Sequence, residues 1–322
     1  QPLADGRVLG FVDVPGHERL VHTMLAGATG IDFALLVIAA DDGVMPQTRE
    51  HMQILELLGV PRGAVALTKI DRAEPERVLA VEEEIRELLA PTPLHDAPIF
   101  RVANPTGEGI DTLREHLAAE AVRVEARAPK GHFRLAVDRS FSLPGAGTIV
   151  TGTVFAGEVK VDDELLVSPE GSSVCVRSIH AQNRAAKRGQ VGERCALNLS
   201  GISREAVARG DWILAHPIHA PATRLDVRLR LLPGEKRPFR QWSSVHLHLG
   251  AAHVTARVAL LEGDELQPGQ SGLAQIVLDR PIGALRGDLF VLRDASATRT
   301  VAGGSRIDPF GPARHRRSER RM

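Results

Sequence analysis

Asp13-Val14-Pro15-Gly16-His17 closes the apolar run that opens at Val8, and Thr68-Lys69-Ile70-Asp71 closes a second apolar run, Ala64 to Thr68, about one strand–helix–strand repeat further along. Working outward from these two blocks, Phe33 to Ala40 and Ile99 to Ala103 also read as strands. Between the strands, Thr48 to Leu58, Glu76 to Leu89 and Gly109 to Ala119 carry Leu, Ile and Val at helical spacing among Glu and Arg. Short apolar runs alternating with amphipathic ones predict a parallel sheet covered by helices over residues 1–121. Residues 122–131, with Ala128-Pro129 and no period, read as a linker. From His132 the texture changes to β-rich runs such as Phe133 to Asp138 and Thr148 to Phe155, broken by Gly and Pro turns. A second set follows a break near His216 to Pro221, with strands from Leu225, at Val245 to His248, Ala256 to Leu261, Ala274 to Leu278 and Asp288 to Leu292. The expected fold is an α/β domain followed by two all-β barrels, at 132–217 and 218–304, and a basic tail at 305–322.

Both opening blocks sit at strand ends, where a parallel sheet presents backbone to ligands. Asp13 can hold a magnesium ion through water. Gly16, without a side chain, lets its N–H approach a terminal phosphate, and His17 can orient an attacking water. Asp71 offers two acceptors to the N1–H and 2-amino donors of guanine, while the Lys69 stem can lie along the base plane. Adenine lacks that donor pair, so the base expected is guanine. A third strand end, Ala103 to Gly109, can bring backbone amides to the guanine oxygen. Either block alone is a pattern that turns also produce; together and in this order they define a guanine-nucleotide site.

With 43% hydrophobic and 25% charged residues, and no apolar run near the length of a membrane span, the 322-residue chain reads as cytoplasmic, without membrane association, and monomeric. Cys175 and Cys195 are too few for a disulfide framework and lack a metal-ligand pattern, so they read as buried thiols. Formal charge is zero, so an RNA partner has to meet a local basic surface. Arg314, Arg316, Arg317, Arg320 and Arg321 offer one at the C-terminus, although a solvated linker fits them equally. His246 and His248 share one strand face, but no carboxylate or Cys joins them, which favours polar strand residues or RNA backbone contacts over a metal site.

Phe11 to Glu18, Met24-Leu25-Ala26-Gly27, Ala34 to Gly43 and Pro46 to His51 are similar to successive blocks of elongation factor Tu and its relatives, the translational GTPases. The resemblance implies a GTPase domain of the phosphate-loop type that binds GTP/GDP and Mg2+, with Asp13, Gly16, Thr68, Lys69, Asp71 and Ala103 at the nucleotide and His17 catalytic. Hydrolysis in such a factor is a switch made of positioning and electrostatics. Thr68 replaces the family's usual Asn, which resembles the selenocysteine-specific branch. So do Phe133 to Phe141, Gly145 to Thr153, Ile179 to Asn183 and Ala208 to Trp212. The resemblance implies delivery of selenocysteinyl-tRNA to the ribosome, with Asp138, Arg139 and Arg209 in the aminoacyl pocket. It also implies contact with a selenocysteine-insertion hairpin in mRNA through C-terminal domains outside this sequence. A selenol is ionised near neutral pH and a serine hydroxyl is not, so arginines can tell the two apart.

None of the five lysines, Lys69, Lys130, Lys160, Lys187 and Lys236, follows a glycine, so the phosphate-loop pattern G-x-x-x-x-G-K-[ST] is missing. The expectation is an N-terminally truncated GTPase domain, inactive in hydrolysis as it stands. Two alternatives stay open: a general aminoacyl- or initiator-tRNA carrier, and a non-hydrolysing RNA-binding remnant.

Overall fold

Gly63-Ala64-Val65-Ala66-Leu67 is apolar without alternation, as a strand covered on both faces requires. In the computed structural model this stretch lies between the parallel strands Ala34–Ala39 (β1) and Ile99–Arg101 (β3), itself forming Gly63–Thr68 (β2). The structure describes residues 8–15, 21, 24–25, 30–124, 130–145, 147–308 and 311. The chain divides into two units, Gln1–Val21 with Ile31–Ala126, and His22–Gly30 with Arg127–Met322.

Among the described residues of the first unit, the helices Pro46–Leu57 (α1), Pro75–Leu89 (α2) and Ile110–Arg123 (α3) accompany the sheet. Helix α2 shows why such segments fold. Pro75 occupies the first turn, where a missing N–H costs nothing, and Glu76 and Arg86 match the two ends of the helix dipole. Val78, Val81, Ile85 and Leu89 recur every three or four residues and are buried with Met52, Leu55, Val65 and Leu67. Each such side chain contributes roughly 1.5–3 kcal/mol. Helix α3 follows Gly109, whose φ of 73° and position against Arg101 only glycine can adopt: a Cβ there would lie 1.8 Å from the Arg101 carbonyl oxygen.

Two expectations for this unit are corrected. Residues 9–15 carry no strand, and Phe11 and Val12 are 62% and 55% exposed. An apolar run becomes a strand only where its N–H and C=O groups meet a neighbouring ladder, and among the described residues β1 pairs with β2 alone. Strand β3 also stops at Arg101, short of Ala103, which turns out of the ladder to bridge Glu108.

The second unit holds both barrels. Arg134–Leu143 (β4), Gly147–Ala156 (β5), Glu158–Lys160 (β6), Glu164–Ser168 (β7), Ser172–Ala181 (β8), Arg184–Ala186 (β9), Arg188–Gln190 (β10), Arg194–Ser200 (β11) and Trp212–Leu214 (β12) build the first. Its main sheet runs β11-β5-β4-β12-β7-β8-β9, and a β11–β8 pairing closes it. The second comprises Pro221–Leu231 (β13), Phe239–Arg240 (β14), Ser243–Leu249 (β15), Ala252–Leu260 (β16), Glu265–Leu266 (β17), Ser271–Gly283 (β18), Leu289–Asp294 (β19) and Thr300–Asp308 (β20). Six of these close as β13-β18-β16-β15-β19-β20. Strand β20 runs beyond the expected boundary at residue 304, because Ser305 and Arg306 pair with Arg228 and Val227, and Arg306 is fully buried.

Strand alternation joins the barrels. On β12, Ile213 enters the first core while Trp212 and Leu214 enter the second, together with Leu247, Ile276 and Phe290. Arg134 lies over Trp212, 4.1 Å from the ring centroid, and its Nη2 donates to Asp288 Oδ1 at 2.9 Å, with both side chains almost buried. Gly283 packs so close to the Trp212 ring that a Cβ there would lie 2.9 Å from Trp212 Cδ1.

Candidate functional site

Because β1, β2 and β3 are parallel, their carboxyl ends meet along one sheet edge. Two bonds stitch that edge together: Ala40 N–H to Thr68 O at 2.8 Å, and Val102 N–H to Leu67 O at 2.8 Å. Thr68 ends β2, its hydroxyl donating to Ile38 O at 3.4 Å. Lys69 turns the chain with φ 57°, a left-handed conformation uncommon outside glycine and concentrated at functional sites. The short 3₁₀ turn Ile70–Arg72 then carries Asp71, which is exposed and hydrogen-bonded to nothing among the described residues, so both carboxylate oxygens are available. Lys69 Nζ donates to both oxygens of Asp41 at 3.0 Å and to Asp42 Oδ2 at 3.4 Å. That bond holds the Asp41 carboxyl below the usual carboxylate range, and Asp41, then Asp42, raise the Lys69 ammonium above its own.

The structure thus brings Thr68, Lys69 and Asp71 together and adds Asp41 and Asp42, which sequence reasoning quoted but gave no role. Asp13 is exposed in coil. Gly16 and His17 lie outside the described residues. Ala103 is buried, and its N–H donates to Glu108 O at 3.0 Å, so that amide is already engaged, contrary to the expected contact with guanine.

The second candidate group lies on the outer face of the first barrel. A bulge in β4, where the register slips between Val137 and Arg139, leaves Asp138 as the extra residue between Val137, opposite Gly152, and Arg139, opposite Thr151 of β5. Asp138 accepts from both Nη1 and Nη2 of Arg194, the latter at 3.0 Å, and from the Thr151 hydroxyl at 2.6 Å. Arg139 and Arg209 are exposed. The loop bearing Arg209 is pinned to the other edge of β4 by Gly210 N–H to Val137 O and Val137 N–H to Asp211 O, both 2.9 Å. Asp211 caps the same loop by accepting from Ala208 N–H at 2.8 Å, and burial pushes its carboxyl upward. Arg194 of β11 is therefore paired with Asp138 of β4 across β5, with Arg139 next along β4 and Arg209 in the loop before β12. Arg194 escaped sequence reasoning. Its only signal was an outward position on a strand opposite Thr153, which barrel closure alone reveals.

Elsewhere, His246 Nδ1 and His253 Nε2 lie 2.9 Å apart and His248 stacks on His253. Among the described residues no group of three or more His, Cys, Asp or Glu side chains is arranged to hold a metal ion. Cys195 is buried, with its thiol pushed up to about 12, while Cys175 is half-buried. No helix among the described residues is long and apolar enough to cross a membrane. The arginines of the tail, from Arg314 on, lie outside the described residues.

Comparison with known proteins agrees with this layout. The elongation factor Tu GTP-binding domain matches residues 4–123, elongation factor Tu domain 2 matches 147–214, and the β-barrel domain of the selenocysteine-specific elongation factor matches 223–313. The selenocysteine-specific elongation factor of Escherichia coli K12 is 46% identical over 97% of this chain and 49% of its own length. That of Desulfomicrobium baculatum is 40% identical, again over 97% of this chain and 49% of its own length. The chain thus spans about half the length of these curated relatives. The apo crystal structure of translation elongation factor SelB from Methanococcus maripaludis superposes with TM-score 0.82 at 27% identity, covering 93% of this chain and 70% of that one. A bacterial selenocysteine-specific factor gives TM-score 0.81 at 27% identity, over 91% of this chain and 48% of that one.

Proposed function

We propose, from the premise that this chain belongs to the selenocysteine-specific elongation factors of the elongation factor Tu-like GTPases, that it is the guanine-reading and aminoacyl-reading part of a factor that delivers selenocysteinyl-tRNA to the ribosome. Asp71 recognises guanine, Lys69 lies along the base, and Thr68 bridges the loop beneath it. Asp13 serves the magnesium ion through water, and Gly16 and His17 serve the terminal phosphate and the hydrolytic water. The unengaged, exposed carboxylate of Asp71 beside the ion-paired Lys69 fits a guanine ring, whose two donors need two acceptors. A bound nucleotide supplies the switch, and Mg2+ neutralises its phosphates.

One observation carries the aminoacyl assignment: the Asp138–Arg194 pair on the outer face of the first barrel, with Arg139 next in sequence and the Arg209 loop pinned to β4 at Val137. A guanidinium presented there favours a small monoanion such as a selenolate over a neutral seryl hydroxyl. Equilibrium binding of selenocysteinyl-tRNA and seryl-tRNA to the chain tests this. We expect a preference for the selenocysteinyl form that fades as falling pH protonates the selenol; equal affinities at neutral pH would refute the pocket. Fluorescent GDP titration tests the nucleotide edge separately, with Asp71→Asn expected to weaken binding.

A further inference from the structure

On the outer face of β5, Ile149, Thr151 and Thr153 alternate with the buried Thr148, Val150 and Val154. Of these outward residues, Thr153 lies opposite Arg194 in the ladder, and Thr151 is the one whose hydroxyl hydrogen-bonds to the charged group. The Thr151 hydroxyl donates to Asp138 Oδ1 at 2.6 Å and accepts from Arg194 Nη2 at 3.4 Å. Arg194 Nη2 also reaches the same Asp138 Oδ1, at 3.0 Å, so carboxylate, guanidinium and hydroxyl close a ring. Thr151 sits directly between Arg139 of β4 and Ala196 of β11. Across from it Ala196 is a single methyl, which leaves the route from Arg194 to Asp138 clear and brings no competing polar group.

We propose that Thr151 is the positioning residue of this pocket, fixing the Asp138–Arg194 pair so that the guanidinium is presented to the selenium end of the aminoacyl group. This rests on the aminoacyl reading above. The physical need is plain: the Arg194 side chain is 46% exposed and that of Asp138 21%, and an ion pair so open to solvent does not by itself hold a long side chain in one geometry. A hydroxyl bonded to both partners supplies the missing constraint. Its one hydrogen is used on Asp138 and its lone pair on Arg194, so it cannot be replaced by an isosteric methyl. Thr148, on the buried side of the same strand, bonds instead to the Ile202 carbonyl and has no part in the pocket.

The test compares Thr151→Val, which keeps the shape and loses the hydroxyl, with Thr151→Ser, which keeps the hydroxyl. The preference of the chain for selenocysteinyl- over seryl-tRNA should fall about ten-fold in T151V and stay within about two-fold of wild type in T151S. Melting temperatures of both variants should match. An unchanged preference in T151V, or an equal loss in both variants, overturns the proposal. If the wild-type chain shows no preference at all, the pocket reading itself has failed, and a second measurement still decides the role of Thr151. Hydrogen exchange of the Arg194 Nε–H, followed by NMR in the ligand-free chain, should accelerate in T151V and not in T151S; equal exchange in all three proteins overturns the proposal.

Discussion

Replacing Arg134 with methionine tests whether the two barrels form one mechanical body. Methionine keeps most of the apolar volume, so the change isolates the charge. Asp288 would then keep one donor, the Leu285 N–H at 2.7 Å, while its side chain stays only 14% exposed. Removing one partner of a buried ion pair costs up to about 3–5 kcal/mol, reduced here because the buried Arg306 guanidinium still acts on Asp288, and loss of the cation over Trp212 adds about 0.5–2 kcal/mol. Methionine packing against the ring and relief of the partnerless Arg134 Nε offset part of this, leaving a net loss of about 3 kcal/mol. Arg134→Met combined with Asp288→Asn removes both charges and should recover to within about 1 kcal/mol of wild type, a coupling of at least about 2 kcal/mol. Trp212 fluorescence during urea unfolding, in a Trp242→Phe background, reports on this seam rather than on the chain as a whole. A single-mutant loss below about 0.5 kcal/mol, or additive behaviour in the cycle, would refute the reasoning.

Cys195 should resist thiol reagents at pH 8 until the chain unfolds, because burial holds its thiol near 12, whereas half-buried Cys175 should react in the native protein; rapid labelling of two thiols would contradict this. Asp41 and Asp42 raise the Lys69 ammonium and so reduce its free amine, and Asp41→Asn should speed Lys69 acetylation at pH 8, read by peptide mass spectrometry; an unchanged rate would contradict this. Gly109→Ala has to place a methyl against the Arg101 carbonyl at positive φ, and should cost the first unit at least about 2 kcal/mol, followed by loss of helical circular dichroism.

Local chemistry was legible in the sequence; pairing was not. Thr68-Lys69-Ile70-Asp71 announces itself as a strand end because the apolar run before it is unbroken and the residues after it are the ones a base needs. Helix α2 was equally plain, since its buried positions repeat within one element. Val8 to Asp13 has the same apolar character as a true strand, but a strand also needs a neighbour, and no single run encodes that. Arg194 lies 56 positions from its partner Asp138 and meets it only after β11 has folded beside β5. Arg306 looks like the start of a basic tail, yet its register against Val227 draws it into the barrel. The engaged amide of Ala103 was hidden for a related reason: the turn back to Glu108 uses it before a ligand can.

Strand β12 is only three residues long, yet it serves as a common wall, with successive side chains committed to different rooms. Because Trp212 and Ile213 pair with Ala136 and Leu135 of β4, any shift of the second core is felt first on the strand that carries Asp138.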